Sequence, residues 1–341
     1  MLREQRLVDA VEIMLPAGQP ALFNLHGQTL TDRSSSCYVV KDAGDDPDIT
    51  NGAEIHATID VDYFVPHRIT LQGGVGVGKV TKPGLAVAVG KPAINPVPRR
   101  MILETVKEIL AVRCIPAAFT VTISIPNGEE LAKKTLNQRL GIIGGLSILG
   151  TTGIVKPIST KAWTDTIDCS IDVALASGAE TVILSTGRTS ELAAQQFIRR
   201  GAQGSGLGKG LTEESFIMMG DHVGYALSAC QAKGVKMAVL AGQFAKLLKI
   251  ACGHKQTHVA AAELDLQMLA AWCSGEPRTF GLEALARGAN TARQVLQDSG
   301  NDPSLISLVC GRARESAGTM ASGLEVKVLL VGYDAEVLYY G

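Results

Sequence analysis

Two stretches of the chain combine adaptable backbone with positive charge. From Gly73 to Arg100 there are glycines at Gly73, Gly74, Gly76 and Gly78, prolines at Pro83, Pro92, Pro96 and Pro98, and bases at Lys79, Lys82, Lys91, Arg99 and Arg100, with no acid. From Leu131 to Thr164 there is again no acid, against Lys133, Lys134, Arg139, Lys156 and Lys161, and glycines recur at Gly141, Gly144, Gly145, Gly150 and Gly153. Glycine lets a backbone approach a ligand closely, proline locks turns, and cations without nearby acids leave a positive field. The pattern predicts rigid, exposed loops that hold an anion rather than a core. The expected contacts are Asn95 and four cations, Lys82, Arg99, Lys133 and Arg139, whose sequence windows hold no acidic partner.

A second group of polar residues sits just after apolar, β-branched runs. TGRTSE, from Thr186 to Glu191, follows one such run, and GDHVG, from Gly220 to Gly224, follows another. Ligands of open α/β sheets lie outside the carboxyl ends of the strands. Gly187, Ser190 and Glu191, with Gly220 and Asp221, could hold a nucleoside and its ribose; the competing reading is helix capping by Thr189 or Ser190. His254 and His258 are four apart in GHKQTH, a spacing that shares a helix face. They lack a third metal ligand and a catalytic Glu between them, so acid–base work or ligand contact is expected there and no metal.

Other patterns fall short of known sites. GGVGVG lacks the helix start and downstream acid of a dinucleotide fingerprint, and Val80 stands where a phosphate-binding loop needs Ser or Thr. Asp42, Asp45, Asp46 and Asp48 sit in a turn-rich loop without the calcium pattern's terminal Glu, and read as capping groups.

The elements that must position these residues follow from periodicity. Val11–Leu15 and Pro20–Leu25 predict a hairpin, and Cys37–Val40, Ala53–Ile59, Arg68–Gln72 and Phe119–Ile125 predict strands, with a helix over 99–112. After Thr160 helix and strand alternate: a helix over 163–177, strands at 181–185, 216–219 and 235–241, helices at 193–200, 225–233 and 264–273, a loop at 201–210, and final strands at 326–331 and 337–340. That alternation predicts a parallel sheet covered by helices, with a domain boundary near Thr160.

Composition agrees. The 341 residues suit two domains, and 46% hydrophobic with 4% aromatic content makes an aliphatic, Gly-rich α/β core. A net charge of −1 argues against a general nucleic-acid or membrane binder. Seven cysteines without a CxxC pair read as free thiols in a reducing cytoplasm, and no apolar run is long enough to span a bilayer.

GGVGVGKVTKPGL, VGKPAINPVPRRMI and NGEELAKKTLNQRLGIIGGLSILGTTGIVKP closely resemble segments of the cobalt-precorrin-5B C1-methyltransferase family of anaerobic cobalamin biosynthesis. KDAGDDPDITNGA, GDHVG and GHKQTH extend that resemblance over nearly the whole chain. The resemblance implies S-adenosylmethionine as methyl donor, cobalt-precorrin-5B as acceptor with its cobalt carried by the substrate, and cobalt-precorrin-6A as product. It implies an α+β domain over 1–160 and a Rossmann-like α/β domain over 161–341, in the cytoplasm. The family's opening GYTTGxCAAAA segment has no counterpart in MLREQRLVDAVEI. A ring rimmed by acetate and propionate fits the two cationic stretches, with Ile94, Ile142, Ile143 and Leu146 expected as apolar walls and the substrate held between the domains. A non-catalytic tetrapyrrole or anionic-metabolite binder is the alternative, and the sequence leaves a homo-oligomer open.

Overall fold

The computed structural model describes residues 1–2, 4–65, 68–111, 117–155, 159–200 and 211–341. The expected loop at 201–210, Lys156 and Cys114 lie outside them. The chain is mixed α/β with several sheets, and it divides into two compact units, Met1–Ser159 and Thr160–Gly341.

In the first unit, strands β1 (Ala10–Met14) and β2 (Pro20–Asn24) form the antiparallel hairpin expected from their flanking turn. Strands β3 (His26–Leu30), β4 (Ser34–Val40), β5 (Glu54–Asp62) and β6 (Arg68–Gly73) follow, then the two-residue strands β7 (Gly76–Val77) and β8 (Lys79–Val80). Helix α1 (Pro96–Ala111), β9 (Ala118–Ser124), helix α2 (Gly128–Ala132), β10 (Ile142–Ile143) and β11 (Gly145–Leu146) complete the unit. The main sheet has the order β3-β4-β5-β9-β6. Its neighbours are antiparallel except β6 and β9, which run parallel. Parallel neighbours need a crossover, and α1 supplies it. Phe119, Val121 and Ile123 of β9 are buried at every second position, and Ile102, Leu103, Val106 and Leu110 of α1 pack with Leu71, Val121 and Ile123 or border that core.

The second unit runs α3 (Thr160–Ala176), β12 (Thr181–Ser185), α4 (Arg188–Arg199), β13 (Phe216–Met218), α5 (Val223–Lys233), β14 (Met237–Gln243) and α6 (Phe244–Ala251). Then come α7 (Leu266–Gly275), α8 (Glu283–Gly288), α9 (Ala292–Asp298), α10 (Pro303–Met320), β15 (Glu325–Val331) and β16 (Val337–Tyr340). The sheet order is β13-β12-β14-β15-β16, with four parallel strands and β16 antiparallel at the edge. Val182, Leu184, Ala238, Leu240, Val328 and Leu330 face a core shared with α3, α5, α6 and α10. Ile183, Val239, Ala241, Leu329 and Val331 face α4. Strands buried on both faces read as continuous apolar runs, which is why this sheet is visible in the sequence. Among the described residues, no helix is long and apolar enough to cross a membrane.

Helix α4 begins at Arg188, well before the expected start at Ala193. Its N-cap is Gly187, with no side-chain cap, so neither Thr189 nor Ser190 caps it. Ser190 and Glu191 instead lie inside the first turn and are buried.

Candidate functional site

The two cationic stretches of the first unit are paired to each other. Gly145–Leu146 runs parallel to Gly76–Val77, and Ile142–Ile143 runs antiparallel to Lys79–Val80. Isolated bridges join Ile94 to Ile148 and Lys79 to Pro92. The Thr81 N–H donates to the Gly141 carbonyl at 2.7 Å, the Gly78 N–H to the Leu146 carbonyl at 2.8 Å, and the Asn95 N–H to the Ile148 carbonyl at 2.9 Å. Several glycines are there because the backbones nearly touch. A Cβ on Gly76 would stand 1.8 Å from the Ile125 carbonyl oxygen, and one on Gly128 or Gly145 would stand 2.1 Å from that of Gly76.

This corrects the expectation of an exposed loop system without a core. Val77, Val80, Ala93 and Ile94 are buried, and these glycines serve close packing of chain against chain. Of the four apolar walls expected for a flat ring, Ile94, Ile142 and Leu146 are core residues, whereas Ile143 is 47% exposed.

The expected anion contacts are distributed over this paired structure. Lys82 reaches the Arg139 backbone, its Nζ donating to the carbonyl at 3.3 Å, so these two cations are neighbours. Asn95 lies at the entry to α1, where its carbonyl accepts from the Arg99 N–H at 2.9 Å, and Arg99 is exposed. Lys133 stands apart, and the expectation that it lacks a local acid fails: its Nζ meets Glu130, three residues earlier, at 2.5 Å. In the aspartate-rich loop, Asp48 Oδ1 accepts from the Thr50 N–H and hydroxyl at 2.8 and 2.7 Å, and Oδ2 pairs with Lys41. Burial opposes ionisation of Asp48, but these partners outweigh it and hold its carboxyl below the usual range.

In the second unit, GDHVG and GHKQTH are knitted together beyond the carboxyl end of β13. The Gly224 N–H donates to the Lys255 carbonyl at 2.9 Å, and the Thr257 N–H donates to the Asp221 carbonyl at 3.0 Å. The Thr257 hydroxyl donates to Asp221 Oδ1 at 2.6 Å, and Lys246 pairs with the same oxygen. Gln256 Nε2 and His222 Nδ1 lie 3.1 Å apart. A Cβ on Gly224 would meet Lys255 at 2.7 Å, which is why the turn needs glycine there. Burial works against the Asp221 carboxylate, but the hydrogen bonds from Lys246 and Thr257 win, with the charges of Lys246 and His258 adding to them, and its carboxyl sits below the usual range.

The expected donor-side residues converge at the ends of β12 and β13. The Ser185 carbonyl, last in β12, accepts from the N–H groups of Met219 and Gly220 at 3.0 and 3.3 Å. Ser185 Oγ is buried without a hydrogen-bond partner among the described residues. Gly187 is extended at φ −179°, and nothing lies within 4 Å of the place its Cβ would occupy. Glu191 is 0% exposed, with its carboxylate 2.7 Å from Arg188. His254 and His258 follow α6 in irregular backbone, not on one helix face. His258 is exposed, and its Nδ1 accepts from the Ala260 N–H at 3.2 Å. Among the described residues, no three His, Cys, Asp or Glu side chains are grouped to hold a metal.

Three residues of this cluster escaped sequence reasoning. Lys246 and Lys249 on α6 both donate to the Thr257 carbonyl, at 3.2 and 3.1 Å. Trp163 on α3 is 42% exposed, with its ring 3.6 Å from the Cβ direction of Gly220 and 6.2 Å from the His222 ring. Two lysines on an apolar helix and a tryptophan opening an amphipathic one carry no local signal of a shared site.

Polar groups gathered at strand carboxyl ends mark the ligand-binding edge of an α/β protein. A family model described as CbiD matches residues 1–157, and one described as CbiD, C-terminal domain, matches residues 256–341. A cobalt-precorrin-5B C(1)-methyltransferase of Geobacter sulfurreducens is 62% identical over 345 residues, covering 100% of this chain and 93% of the relative. One of Geotalea daltonii is 62% identical over 344 residues with the same coverage, and one of a Geobacillus species is 42% identical over 96% of this chain and 87% of its own length. A solved structure of a cobalamin biosynthesis protein (CbiD) from Archaeoglobus fulgidus matches with a TM-score of 0.36 at 25% identity, covering 74% of each chain. The chain belongs to the CbiD family.

Proposed function

We propose that the chain is an S-adenosylmethionine-dependent methyltransferase that methylates C1 of cobalt-precorrin-5B, giving cobalt-precorrin-6A in anaerobic cobalamin biosynthesis. The observation that carries this reading is the 62% identity, over the full chain, to relatives named for that reaction. The donor supplies an electrophilic methyl on sulfur; the ring carbon forms the new C–C bond as the C–S bond breaks, and S-adenosylhomocysteine leaves. Alignment of the two carbons and exclusion of water are the main demands on the protein, and no covalent nucleophile is required.

The second unit, read as Rossmann-like, is the donor domain in this proposal. Among the described residues, both side-chain partners of Asp221 meet Oδ1, which leaves Oδ2 to accept from ribose hydroxyls, as acids after strands do. Gly187 leaves room for a nucleoside against extended backbone, and the Trp163 indole offers a flat apolar wall. Ser190 and Glu191 are buried in the first turn of α4, so their part is to shape that turn. Domain 1–160 is the substrate domain, with Lys82, Asn95, Arg99, Lys133 and Arg139 holding ring carboxylates by charge-assisted bonds. His254 and His258 are the acid–base candidates, and the reaction runs in the cytoplasm.

The test is incubation of the pure protein with methyl-labelled S-adenosylmethionine and cobalt-precorrin-5B. Label in the corrinoid at C1 is expected; tight binding of both ligands without transfer would instead assign a non-catalytic binding protein.

A further inference from the structure

We propose that Lys249, together with Lys246, forms a binding site for a ligand carboxylate at the carboxyl edge of the second unit's sheet. The site is a pair of ammonium groups on one turn of α6, aimed at the carbonyl of Thr257. Lys246 and Lys249 are three residues apart and so share a helix face. Their Nζ atoms lie 3.2 and 3.1 Å from that single oxygen. Thr257 is itself fully buried and pinned to Asp221 by its N–H and its hydroxyl, so the oxygen is fixed in place.

The charges do not balance. Asp221 pairs with Lys246, and among the described residues Lys249 has no carboxylate within ion-pair distance. Lys249 is 8% exposed, an ammonium has three N–H groups, and among the described residues its one hydrogen-bond partner is the Thr257 carbonyl. A buried charge is stable only when paired and hydrogen-bonded. Lys255, in the same loop, adds positive charge and no acid. The missing partner is a singly charged, oxygen-bearing anion at the edge of the sheet where ligands of α/β proteins sit.

A carboxylate fits that description, and on the methyltransferase reading, on which the choice of probes rests, two ligands carry one. The methyl donor has the α-carboxylate of its methionine part, and the macrocycle has acetate and propionate arms. The competing role for Lys249 is purely local, as a pin for Thr257.

The experiment measures dissociation constants of S-adenosylhomocysteine, 5′-methylthioadenosine and cobalt-precorrin-5B for the full-length wild type, Lys249→Met and Lys249→Arg. 5′-Methylthioadenosine keeps the nucleoside but has no carboxylate. Lys249→Met is expected to weaken one carboxylate ligand by roughly ten- to a hundredfold, the range of one charge-assisted hydrogen bond, with Lys249→Arg recovering most of it. Loss for S-adenosylhomocysteine with 5′-methylthioadenosine unchanged assigns the donor carboxylate, and loss for cobalt-precorrin-5B alone assigns a substrate arm. A folded Met variant with a lower Tm and unaltered affinity for both overturns the site and leaves the pin. If the Met variant does not fold, the isotope-labelled Nζ signal of Lys249 in the wild type decides. It should move with a carboxylate ligand and stay in place with 5′-methylthioadenosine; no movement with either carboxylate ligand overturns the site. A wild type that binds neither overturns the methyltransferase reading and the site with it.

Discussion

A Cβ on Gly145 would stand 2.1 Å from the carbonyl oxygen of Gly76, so the two cationic stretches of the first unit are locked together at a point where only glycine fits. Gly145→Ala must therefore push two strands apart. Overpacking of this kind typically costs about 1–3 kcal/mol, occasionally more, and a drop in Tm of several degrees is expected. Gly144 is the control: its φ of +82° is strained for alanine, but its Cβ direction is open. Gly144→Ala should cost only about 1–2 kcal/mol. Thermal melts of the two variants rank these effects, and equal losses would mean the close approach is not what glycine provides at 145.

Gly187 presents the opposite case. Its φ of −179° suits any residue and its Cβ direction meets no atom. Gly187→Ala is expected to lower stability by no more than about 1 kcal/mol, the modest cost of replacing a glycine N-cap. If the donor nucleoside lies against this backbone, the same change weakens S-adenosylhomocysteine binding at least several-fold, measured by titration calorimetry. Unchanged affinity would place the donor elsewhere.

Asp221 and Glu191 should separate by phenotype. Glu191 is fully buried and paired with Arg188, so Glu191→Gln is expected to lower stability by about 1–3 kcal/mol, as for a lost charged hydrogen bond. Donor affinity in its folded fraction should then stay near wild type. Asp221→Asn keeps the shape of the turn but removes the charge beside Lys246 and the acceptor for ribose. Weaker S-adenosylhomocysteine binding with a smaller fall in Tm is the expected result, and urea melts alongside binding curves test both.

The Asp221 carboxyl also sets a pH dependence. Its folded pKa lies below the ordinary value because Lys246 and Thr257 outweigh the opposing effect of burial. The stabilisation is therefore fully present above the unfolded carboxyl's pKa of about 3.9 and is lost as pH falls through the lower folded value. Asp48, lowered in the same direction by Lys41 and Thr50 against its burial, behaves alike in the first unit. Acid melts of wild type and Asp221→Asn should converge as pH falls through the folded carboxyl's lowered pKa; a gap that persists at the acid end would show that the carboxylate's charge is not the source.

The four cations Lys82, Arg99, Lys133 and Arg139 give a last contrast. If they hold ring carboxylates, each change to Ala raises the dissociation constant for cobalt-precorrin-5B by roughly ten- to a hundredfold and spares S-adenosylhomocysteine. Lys133 is exposed and paired with Glu130, so a ligand carboxylate must compete there with that acid and a small effect is expected. Lowered Tm with unchanged substrate affinity across all four would make them structural.

The sequence by itself marked many of the elements, though not β3, α8, α9 or α10. Period-two alternation in Phe119–Ile125, the β-branched run at Thr181–Ser185 and the Gly-rich turns after the strands are local signals, and each marks an element close to where it forms. The acid-free stretches pointed to an anion through composition, which needs no three-dimensional knowledge. Tertiary structure decided how those stretches are used. That Gly128 and Gly145 each press against Gly76, that Ile94, Ile142 and Leu146 become core, and that Lys246 and Lys249 converge on Thr257 across 8 to 11 residues all depend on contacts made only when the chain folds. A glycine that makes room for a ligand and one that makes room for another strand read alike in sequence, because both lack only a side chain; what stands opposite the missing Cβ is settled when the chain folds.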